Sequence, residues 1–334
     1  MDRTFEWIPE ISGNNLTELK PLFTANAQNH WLQDPSLFAQ PSANTRLAVT
    51  RENGEAVAYA FMELKRVLPL GPKVLLVDRG PVFRNLTDLE YLVQQLVSQL
   101  KKESWLIELS PYCYEPCCGH VVRALQGLNF YQGQSQRAHY SQTLTLDLTV
   151  STEEIKQQFR RSLKTQLNKF AKSNIRSEYS QNADDLASFL AMHNRMAENR
   201  QLKVISKKQH EWLKNQLGDL AHLFIATEDD QVLGGILLVA HPTKTHLTYE
   251  FGVKAERVTQ PVSHGLHWQA IQWAKEAGFK QYDFGGYNSE HAGNSINQFK
   301  LGFTKTVQSV TPELRWAPSG WVRFLMEHYL AWRA

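Results

Sequence analysis

Two spacings of apolar residues alternate along the 334-residue chain. Short apolar runs bounded by Gly, Asn or Asp are typical of strands, and runs with an apolar residue every three or four positions are typical of amphipathic helices. Their alternation predicts an α/β protein with mixed sheets flanked by helices. Because one domain usually takes about 100–200 residues, the length predicts two domains.

One strand–turn–strand pattern occurs twice. Leu47–Ala60 is LAVTRENGEAVAYA, with a polar turn at residues 52–54, and Leu223–Ile236 is LFIATEDDQVLGGI, with its turn at residues 228–230. The two runs superpose without a gap at an offset of 176 residues. The gapless match favours duplication of one α/β unit over chance repetition of a common pattern.

The segments after the two hairpins also correspond in order, each set giving a strand, a helix and a strand. In the first half they are Lys73–Val77, Leu86–Lys102 and Trp105–Leu109, and in the second half they are His246–Val253, Val262–Ala277 and Gln281–Phe284. We therefore predict two copies of the unit, each longer than a hundred residues.

The pattern places the domain boundary near residue 150. Ser151 or Thr152 is a suitable helix N-cap, and Glu153 and Glu154 suit the first turn because the helix dipole favours negative charge there. We expect domains at 1–150 and 151–317, with a C-terminal amphipathic helix at 318–334 that packs back on the first domain. That helix is too short and too charged for a membrane span.

A single basic helix is predicted to open the second domain. Its apolar positions recur at helical spacing, and lysine and arginine fill much of the rest. The apolar positions are Ile155, Phe159, Leu163, Leu167 and Phe170, and the basic ones are Arg160, Arg161, Lys164, Lys169 and Lys172.

Composition narrows the class of protein. The net charge of +3 argues against a dedicated DNA-binding protein, which usually concentrates basic residues on one surface. Three clustered cysteines, Cys113, Cys117 and Cys118, are too few for a disulfide framework, so we expect a cytoplasmic protein. These cysteines also lack the paired spacing of a zinc site, and we predict no metal.

The most informative segment runs from Tyr282 to Lys300. A predicted strand ends in Gly285-Gly286, where the backbone can approach a ligand closely because glycine has no Cβ. A polar loop then leads to Phe299-Lys300, where an ammonium beside an aromatic ring suits a developing oxyanion or a terminal phosphate. On residue types alone, a glycine turn followed by a solvated surface lysine is the better explanation of the segment.

Five segments, in order, resemble the FemABX-type aminoacyltransferases that build peptidoglycan bridges. Gln28–Trp31 is similar to the family's early Gln-x-x-Trp region, and Asp78–Val82 to its Arg-Gly-Pro-Val turn. Phe159–Lys172 resembles the basic helix of the second domain, and the most specific segments are Tyr282–Gly286 and Phe299–Phe303. The resemblance implies two tandem domains of the GCN5-related acetyltransferase (GNAT) fold, without the coiled-coil insertion that some members carry.

The resemblance also implies an activity, which is aminoacyl transfer from charged tRNA to an amine of a peptidoglycan precursor peptide. It assigns Phe299 and Lys300 to the acyl-donor end as the catalytic pair. Arg200 falls where the family places an arginine for precursor phosphates, and Tyr249 lies near a cleft-lining tyrosine. Together with these, we predict that Tyr282, Gly285 and Gly286 bind substrate, with the glycine backbone assisting Lys300 at the oxyanion.

Two departures from known patterns bear on the substrates. Residues 32–36 after Trp31 contain no lysine, whereas the family commonly has one there for a diphosphate, which argues against a nucleotide-linked precursor. The pyrophosphate loop of acetyl-CoA-binding GNAT domains is also missing, so no bound cofactor is predicted. The alternatives are a GNAT-type transferase using acyl-CoA or acyl carrier protein in polysaccharide synthesis, and a non-catalytic RNA-binding module. We expect at most peripheral contact with a membrane.

Overall fold

The computed structural model describes residues 2–26, 29–66, 73–101, 106–133, 140–202, 204–229, 231–291 and 293–333. Gln28, Trp105 and Asp230, which belong to predicted motifs, lie outside these ranges. The chain forms two compact units, one of residues 1–141 and 308–334 and the other of residues 142–307. The sequence had predicted divisions near 150 and 317.

The helices and strands follow one another in a mixed order. The first part of the chain forms β1 (Arg3–Ile8), α1 (Gly13–Ala25), β2 (Thr45–Glu52), β3 (Glu55–Arg66), β4 (Lys73–Val77), β5 (Val82–Phe83), α2 (Leu86–Lys101), β6 (Leu106–Leu109), α3 (Cys117–Gly127) and β7 (Tyr131–Gln132). The middle forms β8 (Gln142–Asp147), α4 (Thr152–Gln158), α5 (Arg161–Ala171), β9 (Arg176–Ser180), α6 (Ala183–Asn199), α7 (Lys207–Asn215), β10 (Ala221–Glu228), β11 (Gln231–Ala240), β12 (His246–Lys254), α8 (Val262–Glu276), β13 (Gln281–Gly286), α9 (Ser295–Lys300) and β14 (Thr306–Ser309). The chain ends with β15 (Leu314–Trp316) and α10 (Gly320–Arg333).

Each unit is built on one mixed sheet, and the two sheets have equivalent strand orders. The first follows β1-β2-β3-β4-β6-β15-β7, with β5 beside β3, and the second follows β9-β10-β11-β12-β13-β8-β14. The fourth and fifth strands are parallel in both sheets. The sixth strand of the first sheet is β15, near the end of the chain, and the sixth strand of the second sheet is β8, at the start of the second unit. The first unit is therefore not one continuous stretch of the chain.

The two hairpins match residue by residue. In β2–β3 the pairing shifts between Thr50 and Arg51, and in β10–β11 it shifts between Ala226 and Thr227. These positions are 176 residues apart, which is the offset found in the sequence. The predicted internal repeat is therefore confirmed down to the position of a β-bulge.

The predicted single basic helix is wrong, because the structure has two helices, α4 and α5, with a break at Phe159 and Arg160. Ser151 caps α4 with a capping box to Glu154, as its sequence suggested. Phe159 then turns into the core, where its ring meets those of Trp268 and Phe303. The Arg160 N–H donates to the Gly302 carbonyl at 3.0 Å, so a tertiary hydrogen bond replaces the helical one.

The C-terminal segment contributes a strand and a helix to the first unit. Met326 of α10 packs with Val74 and Leu106, and Glu327 pairs with Arg315 at 3.1 Å. The longest helix among the described residues is α6, with 17 residues, which is too short for a coiled-coil arm. Within the described part of the chain, no helix has the length and apolar character to cross a membrane.

Candidate functional site

The site in the second unit is created by two strands that separate. β12 and β13 run parallel and pair only from His246 to Thr248 and from Gln281 to Asp283. Beyond these residues β12 stays with β11, while β13 follows β8 to Gly286 with a shift in register. A sheet that opens in this way leaves main-chain groups and side chains facing a cleft.

A β-bulge turns Tyr249 into this cleft. Tyr249 pairs with Leu238 and Phe251 with Leu237, so the intervening residue, Glu250, is extra in β12. The alternation of side chains reverses across a bulge. Tyr249 therefore contacts His267 of α8, with ring centroids 4.6 Å apart, and Phe251 packs on the other face against α6.

The end of β13 is shaped by Asp283. Its buried carboxylate accepts hydrogen bonds from the Thr143 hydroxyl and from the Gly285 N–H, the latter at 2.7 Å. Gly285 has a φ of +70°, which glycine adopts without the strain that a side chain would bring. The predicted role of the Gly285 N–H as an oxyanion donor needs correction, because Asp283 already occupies this N–H.

The main chain at Gly286 instead fixes the position of the lysine side chain. Lys300 is the last residue of α9, a helix capped by Asn294, and only 7% of it is exposed. Its Nζ donates to the Gly286 carbonyl at 2.6 Å. Asn297, one turn earlier, donates to the Asn288 and His291 carbonyls at 2.9 Å and so ties the polar loop to α9.

Burial changes the acidity of Lys300. Removal from water lowers the pKa of its ammonium to about 8, and the negative charge of Asp283 acts in the opposite direction. The group is thus still a cation near pH 7. Of its three N–H donors one is used by Gly286, and the other two have no partner in the described part of the chain.

Aromatic rings form a wall beside the lysine. The half-buried Phe299 lies edge-to-face with His264 at 4.8 Å, His267 at 5.2 Å and Phe303 at 5.5 Å. Burial lowers the pKa of His264, and the charge of Lys254 adds to this effect. The lowered pKa favours the uncharged form of the His264 ring, so the wall is aromatic and does not add positive charge beside Lys300.

His267 links the wall to the strand. Its Nδ1 lies 2.7 Å from the Tyr282 hydroxyl, and both residues are buried. Burial, followed by the charge of Lys300, lowers the His267 pKa to about 3, so the ring is neutral. Burial also raises the Tyr249 pKa to about 12. A cation faced by neutral polar groups can direct its charge at a bound substrate.

The structure thus brings together six of the seven residues predicted from the sequence. Phe299, Lys300, Tyr249, Tyr282, Gly285 and Gly286 all lie around the opening between β12 and β13. Arg200 is exposed at the C-cap of α6 and contacts none of them among the described residues. His264 and His267 were not predicted from the sequence as site residues. Two histidines three positions apart on a largely apolar helix lie on one face of it, and this spacing could have indicated a site.

A basic surface adjoins this site. Residues 159–176 contain no acidic residue, and their exposed basic side chains are Arg161, Lys164, Lys169, Lys172 and Arg176. A cavity of about 660 Å³ lies beside α5, where the Lys156 ammonium stands 5.2 Å from the Trp268 ring. The Arg160 side chain donates to Gln298 at 2.8 Å, which joins the start of α5 to the helix that carries Lys300.

One protein-family model matches a large part of the second unit. Residues 157–298 match the family model described as Acetyltransferase (GNAT) domain. This match covers α5 to α8, strands β12 and β13 and the first four residues of α9, and it ends just before Phe299 and Lys300. No curated protein matches the chain in sequence.

Solved structures extend the comparison to the whole chain. The crystal structure of FemX superposes with a TM-score of 0.76 at 15% identity, covering 98% of this chain and 100% of that one. The C-terminal domain of an Agrobacterium fabrum protein assigned as a lysylphosphatidylglycerol synthetase gives 0.63 at 14% identity, covering 94% and 95%. A tandem GNAT protein from the clavulanic acid biosynthesis pathway gives 0.55 at 10% identity, covering 95% and 99%.

These likenesses establish the fold. Both units take part in each superposition, because at least 94% of the chain is covered. The predicted fold of two tandem GNAT-like domains is confirmed, and the resemblance seen in the motifs is confirmed at the level of the FemX fold. At these identities the comparisons carry no assignment of substrate.

Proposed function

We propose that this protein is an aminoacyltransferase that moves an aminoacyl group from a charged tRNA to an amine of a peptidoglycan precursor peptide in the cytoplasm. The observation that carries the proposal is the Lys300 ammonium, held at the opening between β12 and β13 by the Gly286 carbonyl. It supplies two directed N–H donors and a positive charge in a largely dry setting, where such groups act most strongly.

The reaction needs little beyond position and charge. The acceptor amine attacks the ester carbonyl of the aminoacyl group, a C–N bond forms, and negative charge develops on the carbonyl oxygen. Lys300 stabilises this oxyanion, for which one well-placed donor contributes about 3 kcal/mol. The C–O bond to the ribose then breaks, and the proton lost by the amine passes to the ribose oxygen. Binding both substrates in the cleft lowers the entropic barrier further.

The basic surface supports a tRNA donor. Exposed lysines and arginines attract RNA phosphates, and the half-buried Trp268, which lines the cavity beside α5, offers an aromatic contact for a base. The hydrogen bond between Arg160 and Gln298 connects this surface to α9, so RNA bound along α5 would have its end near Phe299 and Lys300.

Replacing two lysines of this surface tests the tRNA contact. The Lys164→Gln/Lys169→Gln variant is expected to bind tRNA more weakly than the wild type. A plot of the logarithm of the association constant against the logarithm of the salt concentration has a negative slope, and this slope should become shallower by about 1–2, because about one counterion is released per phosphate contact. Lys65→Gln, at an exposed lysine of the first unit, serves as control. Identical salt slopes for the three proteins would contradict an RNA-binding role of α5.

The pKa of Lys300 predicts the pH dependence of transfer. The cation is present below its pKa of about 8 and is lost above it. We expect kcat/KM to turn downward above pH ~8, by about tenfold per pH unit once the cation is the minor form. Lys300→Arg, which stays charged, should remove this descending limb. A descending limb that persists unchanged in Lys300→Arg would contradict the assignment of this limb to Lys300.

A donor competition tests the proposed function as a whole. The purified protein is incubated with labelled aminoacyl-tRNA or with acetyl-CoA, and with a lipid-linked or nucleotide-linked precursor peptide that has a free amine. We expect aminoacylated peptide from the tRNA arm alone. Acetylation from acetyl-CoA would favour a thioester-dependent transferase, and tRNA binding without transfer from any donor would favour an RNA-binding module.

A further inference from the structure

The first unit contains a buried arginine, Arg79, that has no counter-ion among the residues that the structure describes. Arg79 follows β4 and is only 3% exposed, yet no carboxylate forms an ion pair with it in the described part of the chain. Its guanidinium makes no hydrogen bond to any described residue, and its Nη1 is fully buried. Burying an ion in this way costs several kcal/mol unless a partner compensates it.

Another arginine of the same unit shows the usual solution. Arg315 is also 3% exposed, and three carboxylates surround it, those of Glu108, Glu313 and Glu327 at 3.1, 2.5 and 3.1 Å. Its charge is neutralised and its donors are used. The unit therefore surrounds the Arg315 guanidinium with acceptors, whereas the Arg79 guanidinium has none within the described ranges of the chain.

Aromatic rings hold Arg79 in place without using its donors. The guanidinium carbon lies 5.0 Å from the Tyr112 ring centroid and 4.5 Å from that of Tyr140. Such contacts stabilise a cation by about 0.5–2 kcal/mol through the ring faces, while the N–H groups point along the guanidinium plane. Tyr112 is buried, and Tyr140 is half-buried, so Tyr140 forms the outer side.

The backbone at Arg79 is also in an uncommon conformation. Its φ is +55°, a left-handed value that costs a residue with a side chain about 1 kcal/mol or more. The Arg79 N–H donates to the Ser110 hydroxyl at 2.9 Å, which fixes this turn. Backbone strain combined with an unpaired buried cation is typical of a binding site rather than of a structural core.

We propose that Arg79, between Tyr112 and Tyr140, is a binding site for an anionic group, a carboxylate or a phosphate, presented by a ligand to the first unit. Two oxygens of such a group can accept two parallel N–H donors from one guanidinium and neutralise its charge. This site is built from residues of the first unit alone and does not depend on the transfer chemistry at Lys300.

Anion-dependent thermal unfolding tests the site. The wild type, Arg79→Met and the control Arg46→Met, which loses an arginine bound only to main-chain carbonyls, are melted in sodium phosphate, sodium acetate or chloride at one ionic strength. Phosphate or acetate should raise the wild-type and Arg46→Met midpoints by about 3 °C at ten times the dissociation constant. Arg79→Met should show no such shift and should melt no lower than wild type in chloride. The more effective anion identifies the group that the ligand carries.

Equal shifts in all three proteins, or none in the wild type with either anion, would overturn the proposal. If Arg79→Met does not fold, a titration of the wild-type protein followed by NMR tests the site instead. The side-chain Nε–Hε resonance of Arg79, identified by its absence in Arg79→Lys, must move on titration with the effective anion. A resonance that stays in place would equally overturn the site.

Discussion

Replacement of Lys300 by methionine is expected to lower the rate of acyl transfer by about 10²–10³-fold, the usual effect of removing one oxyanion donor. Methionine keeps the length of the side chain, so the Phe299 wall and α9 should stay in place. The loss should appear in kcat rather than in substrate affinity, because the interaction is strongest when charge develops on the carbonyl oxygen. Steady-state kinetics with aminoacyl-tRNA measure this directly.

The same variant should be at least as stable as the wild type. A fall in pKa from 10.5 to about 8 corresponds to roughly 3 kcal/mol of unfavourable burial for the cation at neutral pH. The folded state binds fewer protons than the unfolded state between these values, so this cost is complete below pH 8 and disappears as the pH rises towards 10.5. The stability advantage of Lys300→Met should therefore shrink over that range.

Lys305→Met, at an exposed lysine five positions further on, is the matched control and should leave both rate and stability unchanged. Full activity of Lys300→Met would remove the lysine from the mechanism. Lost activity accompanied by a lower melting temperature would indicate that Lys300 holds the fold together instead.

Replacement of Arg315 by methionine is expected to destabilise the first unit by about 3–5 kcal/mol, because it leaves carboxylates buried without their cation. Glu313 is the most affected, since it is only 1% exposed. Burial and the charge of Glu108 already raise the Glu313 pKa to about 7 in the presence of Arg315. Urea unfolding monitored by tryptophan fluorescence gives the free energy of unfolding.

The pH dependence of this effect has a defined sign. A raised carboxyl pKa means that the folded state binds more protons, so stability falls as the pH rises from 4.5 towards 7. The loss caused by Arg315→Met should be larger at pH 8 than at pH 5, and Arg315→Met/Glu313→Gln should recover part of it. Arg51→Met removes exposed ion pairs with Glu6 and Glu18 and should cost about 1 kcal/mol or less. Equal losses for Arg315→Met and Arg51→Met would contradict a buried charge cluster.

The hairpins and the repeat could be predicted because they depend on local pattern. Asn53-Gly54 provides two residues with positive φ for a tight turn, and strands on either side alternate over a few residues. It could not be predicted that β15 is the sixth strand of the first sheet and β8 the sixth strand of the second sheet. Strand pairing over such separations depends on the whole fold and leaves no short-range signal in the sequence.

The site was only partly predictable for the same reason. The strand ending in Gly285-Gly286 and the following Phe299-Lys300 were recognisable as a segment, but their function came from a family resemblance. The burial that lowers the Lys300 pKa, and the capture of the Gly285 N–H by Asp283, arise from tertiary packing. Likewise, the break at Phe159 depends on a hydrogen bond to Gly302, far along the chain.

Mass spectrometry of cell-wall peptides tests the central claim most directly. Cells that produce the wild-type protein, the Lys300→Met variant or no protein are compared. The proposed transfer predicts a peptide heavier by one amino-acid residue in the wild-type cells, absent without the protein and nearly absent with Lys300→Met. Identical peptides in all three, or an added residue that persists with Lys300→Met, would contradict aminoacyl transfer at this site.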